Sequence, residues 1–326
     1  GSTGIVVNRS GSTLSAQNLT IQGDNAALGV MANAGTSVTL TGNNLIRISQ
    51  NQNAGWYTAS SPFLVTATGS INTGFSSTFT STRAGLASSG ATINSSGTTI
   101  EVTPAGGFGV WANGIAAGSA LVTLNNNNVT TTGTNSFGLK ATTNAAGANV
   151  SQITANNTQV QTSGGGGALF IESYNGEASI TLNNSIVKAT GANTGGLVSV
   201  NNTASNTNRF TMSGGELSSA GGDAIEAYGG LLNATIGNGA QVSSAANLLY
   251  VGNGAQAQLT ASGNSVLTGD VRVSGVAVNL GTRVGDCLEE GPGPFVGGPC
   301  AVYAAPAAGT PTADLTLLSG TTWTGA

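Results

Sequence analysis

The chain contains no histidine in 326 residues. Without imidazole there is no Ser-His-Asp or Cys-His machinery and no histidine metal site. Charge is scarce as well. Lys+Arg number 8 and Asp+Glu 12, so charged residues are 6% of the chain, against roughly 25% in ordinary soluble proteins. Eight scattered basic residues at net charge −4 argue against duplex nucleic acid as a partner, because neutralising phosphates takes clustered Lys and Arg. No apolar run approaches the ~18 residues of a membrane helix. No charged stretch followed by an apolar one opens the chain as a signal peptide would. The chain starts mid-pattern at Gly1-Ser-Thr-Gly-Ile-Val-Val and stops mid-pattern at Thr321-Thr-Trp-Thr-Gly-Ala, so it reads as a fragment of something longer.

What is abundant is uncharged and polar: 43 Thr, 34 Ser, 34 Asn and 51 Gly. Disorder does not fit, because disordered chains pair low hydrophobicity with high net charge, and here 39% of residues are hydrophobic. Thr, Val and Ile favour strands, and only seven prolines interrupt them. The composition predicts a long all-β protein.

A short apolar strand recurs: Phe108-Gly-Val-Trp-Ala, Phe137-Gly-Leu-Lys-Ala, Ala168-Leu-Phe-Ile-Glu, Leu197-Val-Ser-Val, Ala224-Ile-Glu-Ala and Leu248-Leu-Tyr-Val. Aligned on Val110, Leu139, Phe170, Val198, Ile225 and Leu249, the copies lie 29, 31, 28, 27 and 24 residues apart. Earlier copies sit at Val30 and Ile5. A second strand of apolar-Thr-apolar pattern follows, as in Val122-Thr-Leu and Ile180-Thr-Leu, so its outer residues share a face. Asn/Gly turns come next, at Asn125-Asn126, Asn156-Asn157 and Asn183-Asn184. A third strand then carries one apolar anchor: Val129, Val160, Val187, Leu217, Val242 or Val266. The period predicts a right-handed parallel β-helix with three strands per coil and about eleven coils, each stacked ~4.8 Å from the next. Residues 1–266 are assigned to these coils, with an inserted loop over about 48–63 that carries Trp56 and Tyr57. Residues 267–326 form the C-terminal coils.

That last region holds Cys287 and Cys300, thirteen apart, with three prolines and four glycines between them. The spacing predicts a disulfide-closed loop and an oxidising compartment. A redox or metal pair is the competing reading, although one Cys pair without His offers too few ligands for structural zinc.

β-Helices also include enzymes that act on polysaccharides, which need clustered carboxylates. The nearest approach to a cluster is Glu172, Glu177, Asp223 and Glu226. In the alignment above, Glu226 falls one place after the inward row and Glu172 two places after it, on opposite faces. No basic residue falls in register with them. No catalytic residue, metal or cofactor is assigned. The outward row itself reads Met31, Trp111, Lys140, Ile171, Ser199, Glu226, Tyr250. Trp111, Ile171 and Tyr250 are bulky for an exposed row, which suggests either a partner or glycan contact face or a face covered by a loop. Trp56 and Tyr57 are further contact candidates on a loop. The Asn turns (Asn125, Asn126, Asn156, Asn157, Asn183, Asn184) are candidate amide ladders, and their flat polar face could also dock on a copy of itself.

The final stretch, Ala313-Asp-Leu-Thr-Leu-Leu-Ser-Gly-Thr-Thr-Trp-Thr-Gly-Ala326, resembles the strand–turn–"S-x-W-x-G" segment of type V autotransporter passengers. Thr321 stands at the Ser position, ahead of Trp323 and Gly325. Ser265-Val-Leu-Thr-Gly-Asp-Val resembles their "L-x-G-D-V/I" rungs. The resemblance implies a Gram-negative cell-surface stalk, displayed by a C-terminal β-barrel not in this chain. Its partners would be copies on neighbouring cells, or a host surface protein or glycan. No Arg-Gly-Asp or Gly-Asp-Ser-Gly tripeptide or tetrapeptide is present, so cell-attachment and protease activities are not implied. The expected function is adhesion or self-association by the side of a nearly uncharged rod. Polysaccharide binding or cleavage, and host-protein binding in immune evasion, are the alternatives.

Overall fold

The computed structural model describes residues 3–7, 13–24, 28–32, 37–49, 84–89, 92–103, 107–114, 119–133, 135–143, 150–173, 176–201, 206–276 and 309–326. Trp56, Tyr57, Cys287 and Cys300 lie outside the described residues. Among the described residues every strand pairing is parallel and no helix occurs. The chain winds as a parallel β-solenoid of about six regular turns.

One turn consists of Phe108–Gly114, Ala120–Asn125 and Asn128–Thr131. The next three are Phe137–Thr143, Val150–Asn156, Gln159–Thr162; Gly167–Ser173, Glu177–Asn183, Ile186–Ala189; and Gly195–Asn201, Thr207–Ser213, Glu216–Ser219. Farther along, the strands fuse. Gln241–Gly252 is continuous from a third-strand position into the following first-strand position, and Val266–Val273 stacks along it with shifts of register. The expected eleven three-stranded coils are therefore corrected to about six, with two strands per coil where fusion occurs. A mean spacing overcounts the coils, because parts of the chain do not keep it.

The core is a set of apolar columns. First strands stack Leu86, Val110, Leu139, Leu169, Leu197, Ile225, Leu249 and Val271. Second strands stack Val122, Ile153, Ile180, Phe210, Ala234 and Leu259. Third strands stack Ile100, Val129, Val160, Val187, Leu217, Val242, Leu267 and Trp323. The expected anchor Val266 is replaced by Leu267, and Val266 itself is exposed. Two first-strand assignments change too. Leu169 and Leu197, not Phe170 and Val198, continue the Val110–Leu139 column. In those two copies consecutive large apolar residues made the alignment ambiguous by one place, and a shift of one place reverses the face.

The corner between second and third strands shows why asparagine is so common. Asn126, Asn157 and Asn184 have φ of 54°, 48° and 48°, in the left-handed region that Asn tolerates better than other non-glycine residues. Their N–H groups donate to the carbonyls of Asn156, Asn183 and Ser213 on the next turn. One residue earlier, the side-chain amide of Asn156 donates to Asn125 Oδ1 at 2.8 Å, and that of Asn183 donates to Asn156 Oδ1 at 2.8 Å. One residue later, Asn127, Thr158 and Ser185 form a buried polar column. Asn127 Oδ1 accepts from Thr98 N at 2.8 Å, and Ser185 Oγ accepts from Thr158 N at 3.1 Å. The ladders are thus coil-to-coil bonds within one molecule. Asn157→Gly is expected to be near neutral, while Asn157→Ala loses about 1 kcal/mol through the left-handed penalty. Urea unfolding followed by circular dichroism distinguishes the two.

Candidate functional site

The first-strand sheet has two buried faces. Its inner face carries the Val110 column and a second column, Ala112, Ala141, Ile171, Ser199, Ala227. Ile171 is 0% exposed, and Ser199 accepts a hydrogen bond from buried Asn208 at 2.9 Å. Both therefore point inward, which corrects their placement in the outward row. The outward row is Trp111, Lys140, Phe170, Val198, Glu226, Tyr250, Arg272.

From Trp111 to Val198 this row is not an open contact face. Trp111 is 2% exposed, so over that stretch, of the two readings, the structure has the covered one; Tyr250, at 7%, borders an opening at the other end of the row. The Trp111 indole N–H donates to Thr142 Oγ1 at 2.8 Å. Phe108, Trp111, Phe137 and Phe170 form a chain of rings with centroids 4.8–6.0 Å apart. Lys140 Nζ lies among them, 4.3 Å from the Phe108 centroid and 5.4 Å from that of Phe170. Four rings turning their negative faces to a cation offset part of its desolvation. Burial still pushes the Lys140 ammonium down to about 8, and the charge of Glu172 opposes that shift.

The same register corrects the carboxylates. Glu172 pairs with Thr142 and Val200, two places after Phe170, and Glu226 continues the Phe170–Val198 row. Residues two apart on a strand share a face, so Glu172 and Glu226 lie on one side. Glu177 belongs elsewhere, paired with Arg209 at 3.1 Å. A basic residue is also in register, since Arg272 stacks on Tyr250, which stacks on Glu226.

Glu226, Tyr250 and Arg272 meet in a cleft of about 350 Å³ at the corner where the chain enters the first strands, lined also by Asn193, Asp223 and Asn247 among others, whereas Glu172 lies outside it. Asp223 and Glu226 are buried, Arg272 is exposed. Asp223 Oδ1 accepts from Asn247 N at 3.1 Å and from its amide at 2.6 Å. The Tyr228 hydroxyl donates to Glu226 Oε2 at 2.7 Å, and its ring packs on Tyr250 at 5.8 Å. The signal for Arg272 was present in the sequence: Leu267 and Val271 repeat the third- and first-strand anchors at a shortened spacing.

The two stretches that carry the passenger resemblance pack on each other. Leu267 registers with Trp323, whose indole N–H donates to Gly269 O at 3.0 Å. Ala326 N donates to Asp270 Oδ1 at 2.8 Å. A Cβ on Gly325 would lie 2.0 Å from Gly269 O, so only glycine fits. Among the described residues, no group of three or more His, Cys, Asp or Glu could hold a metal ion. Comparison with protein-family models, curated proteins and solved structures finds no match for this chain.

Proposed function

We propose that this β-solenoid is the passenger-like stalk of a Gram-negative surface protein and that it acts by side-by-side adhesion to copies of itself. The observation that carries this reading is a column of seven threonines on the outer side of the second strands: Thr123, Thr154, Thr181, Thr211, Thr235, Thr260 and Thr316. The Asn125–Asn156–Asn183 ladder runs two residues away on the same side. Such a face is flat, periodic and rich in hydroxyl and amide groups. Charge does little to oppose its pairing. Among the described residues, surface ion pairs neutralise charges between strands of the solenoid, as at Arg47–Glu101, Lys188–Glu216 at 3.5 Å and Arg209–Glu177. Natural β proteins commonly place unpaired charges against edge and face association. The mutual packing of the Gly269 and Trp323 stretches supports the passenger part of the reading.

The test is cell settling with the chain displayed, alongside sedimentation velocity of the soluble chain. Thr154→Lys with Thr211→Lys is expected to abolish both settling and self-association, while Gln161→Lys on the third strands leaves them intact. A strictly monomeric rod at high concentration, with no settling of displaying cells, overturns the proposal.

A further inference from the structure

We infer that the cleft formed by Asp223, Glu226, Tyr250 and Arg272 binds a neutral hexopyranose unit of a glycan. It goes beyond self-association and uses a different face of the solenoid from the threonine column, so either can fail without the other.

About 350 Å³ is at the lower end of small-molecule sites, roughly 300–1,000 Å³, which suits one sugar ring better than a folded peptide segment. The two carboxylates and one guanidinium leave the lining with a net negative charge. That disfavours phosphate, sulfate and uronic acids. Arg272 within the same lining disfavours a bare divalent cation. A polyhydroxylated neutral ligand matches both signs at once: carboxylates accept hydrogen bonds from sugar hydroxyls, and the guanidinium donates to hydroxyl and ring oxygens. Tyr250 supplies an aromatic wall with a polar tip, the combination favoured where a ligand has both apolar and wet surfaces.

The site is also preorganised. Asn247 holds Asp223 through backbone and side chain, and Tyr228 holds Glu226. The rim is fixed by Ser219 Oγ, which accepts from Gly222 N at 3.0 Å, and by Ser244 Oγ, which donates to Gly222 O at 2.6 Å. A side chain at Gly195 would begin 2.9 Å from Glu226 Oε1, so glycine there leaves the carboxylate its place.

The test is saturation-transfer NMR and calorimetry on the full 326-residue chain with methyl glycosides of glucose, galactose and mannose, and with methyl glucuronide. At least one neutral glycoside is expected to bind with a Kd on the order of 1–10 mM, typical of a single weak contact set. Methyl glucuronide is expected to bind at least tenfold more weakly. Glu226→Gln and Asp223→Asn each weaken binding about tenfold or more with the β-sheet circular dichroism unchanged. Should either variant fail to fold, Arg272→Gln, at an exposed position, provides the second arm with the same expected loss. No binding of any neutral glycoside at 20 mM overturns the inference. So does equal binding of the glucuronide, or binding unchanged in folded variants.

Discussion

Raising the pH from 8 to 10 is expected to stabilise the solenoid against denaturant, and Lys140→Met to remove that rise. Burial among Phe108, Trp111, Phe137 and Phe170 holds the Lys140 pKa at about 8, below its ordinary 10.5. Between those two values the unfolded chain binds more protons than the folded one, so stability increases with pH. Below pH 8 both states are protonated, and this group contributes no slope while its full penalty is present. At 1.36 kcal/mol per unit, the whole window is worth about 3 kcal/mol. Lys140→Met alone at pH 7 leaves Glu172 buried without its cation and is expected to destabilise by about 3 kcal/mol. Lys140→Met with Glu172→Gln removes both charges and is expected to be neutral or stabilising by about 1–4 kcal/mol. Urea midpoints at pH 7, 9 and 10 check all three. A wild-type midpoint that is flat over this range contradicts the burial of a titrating ammonium.

Asn208→Ala is expected to destabilise by about 3 kcal/mol, several times the effect of Asn157→Ala on the surface corner. Asn208 points into the core from Thr207–Ser213 and is fully buried. Its amide donates to Ile171 O at 3.1 Å, Val200 O at 3.0 Å and Ser199 Oγ at 2.9 Å, while Oδ1 accepts from Ser173 Oγ at 2.6 Å. Truncation to Ala leaves those buried partners without this amide, and the low local dielectric makes each loss expensive. Ser173→Ala removes a single donor and is expected to lose about 1–2 kcal/mol. Equal urea midpoints for Asn208→Ala and wild type would show that water replaces the amide.

The role of Asn208 was not legible in the sequence. It stands in Thr207-Asn-Arg-Phe-Thr-Met, among many polar residues of a chain containing 34 asparagines, and nothing local separates an inward asparagine from an outward one. The corner asparagines were different. Asn126, Asn157 and Asn184 recur at the repeat spacing after an apolar-Thr-apolar strand, and their left-handed φ follows from that position. The threonine column was legible for the same reason, because from Ala120–Asn125 onward the second strands carry Thr between two apolar residues.

The candidate cleft was less legible. Asp223 and Glu226 stood out as acids, but the one-place ambiguity at Phe170 and Val198 put Glu172 and Glu226 on opposite faces. The shortened coil before Val271 hid Arg272. Trp111 and Tyr250 were legible as bulky residues of the outward row. The sequence left open whether that face meets a partner or lies under other parts of the chain, because burial of an outward face depends on the rest of the chain.

By itself, the sequence determined the coil. A repeat near 28 residues, with period-two alternation and asparagine or glycine corners, admits a parallel stack because each copy must bury the same apolar positions against its neighbours. Only the tertiary structure decided which residue of a tandem apolar pair turns inward, and that a lysine lies among four aromatic rings. It alone brought two carboxylates, a tyrosine and an arginine from successive turns to one cleft. Those outcomes depend on stacking register, and a shift of one residue, invisible in composition, exchanges the two faces of a strand.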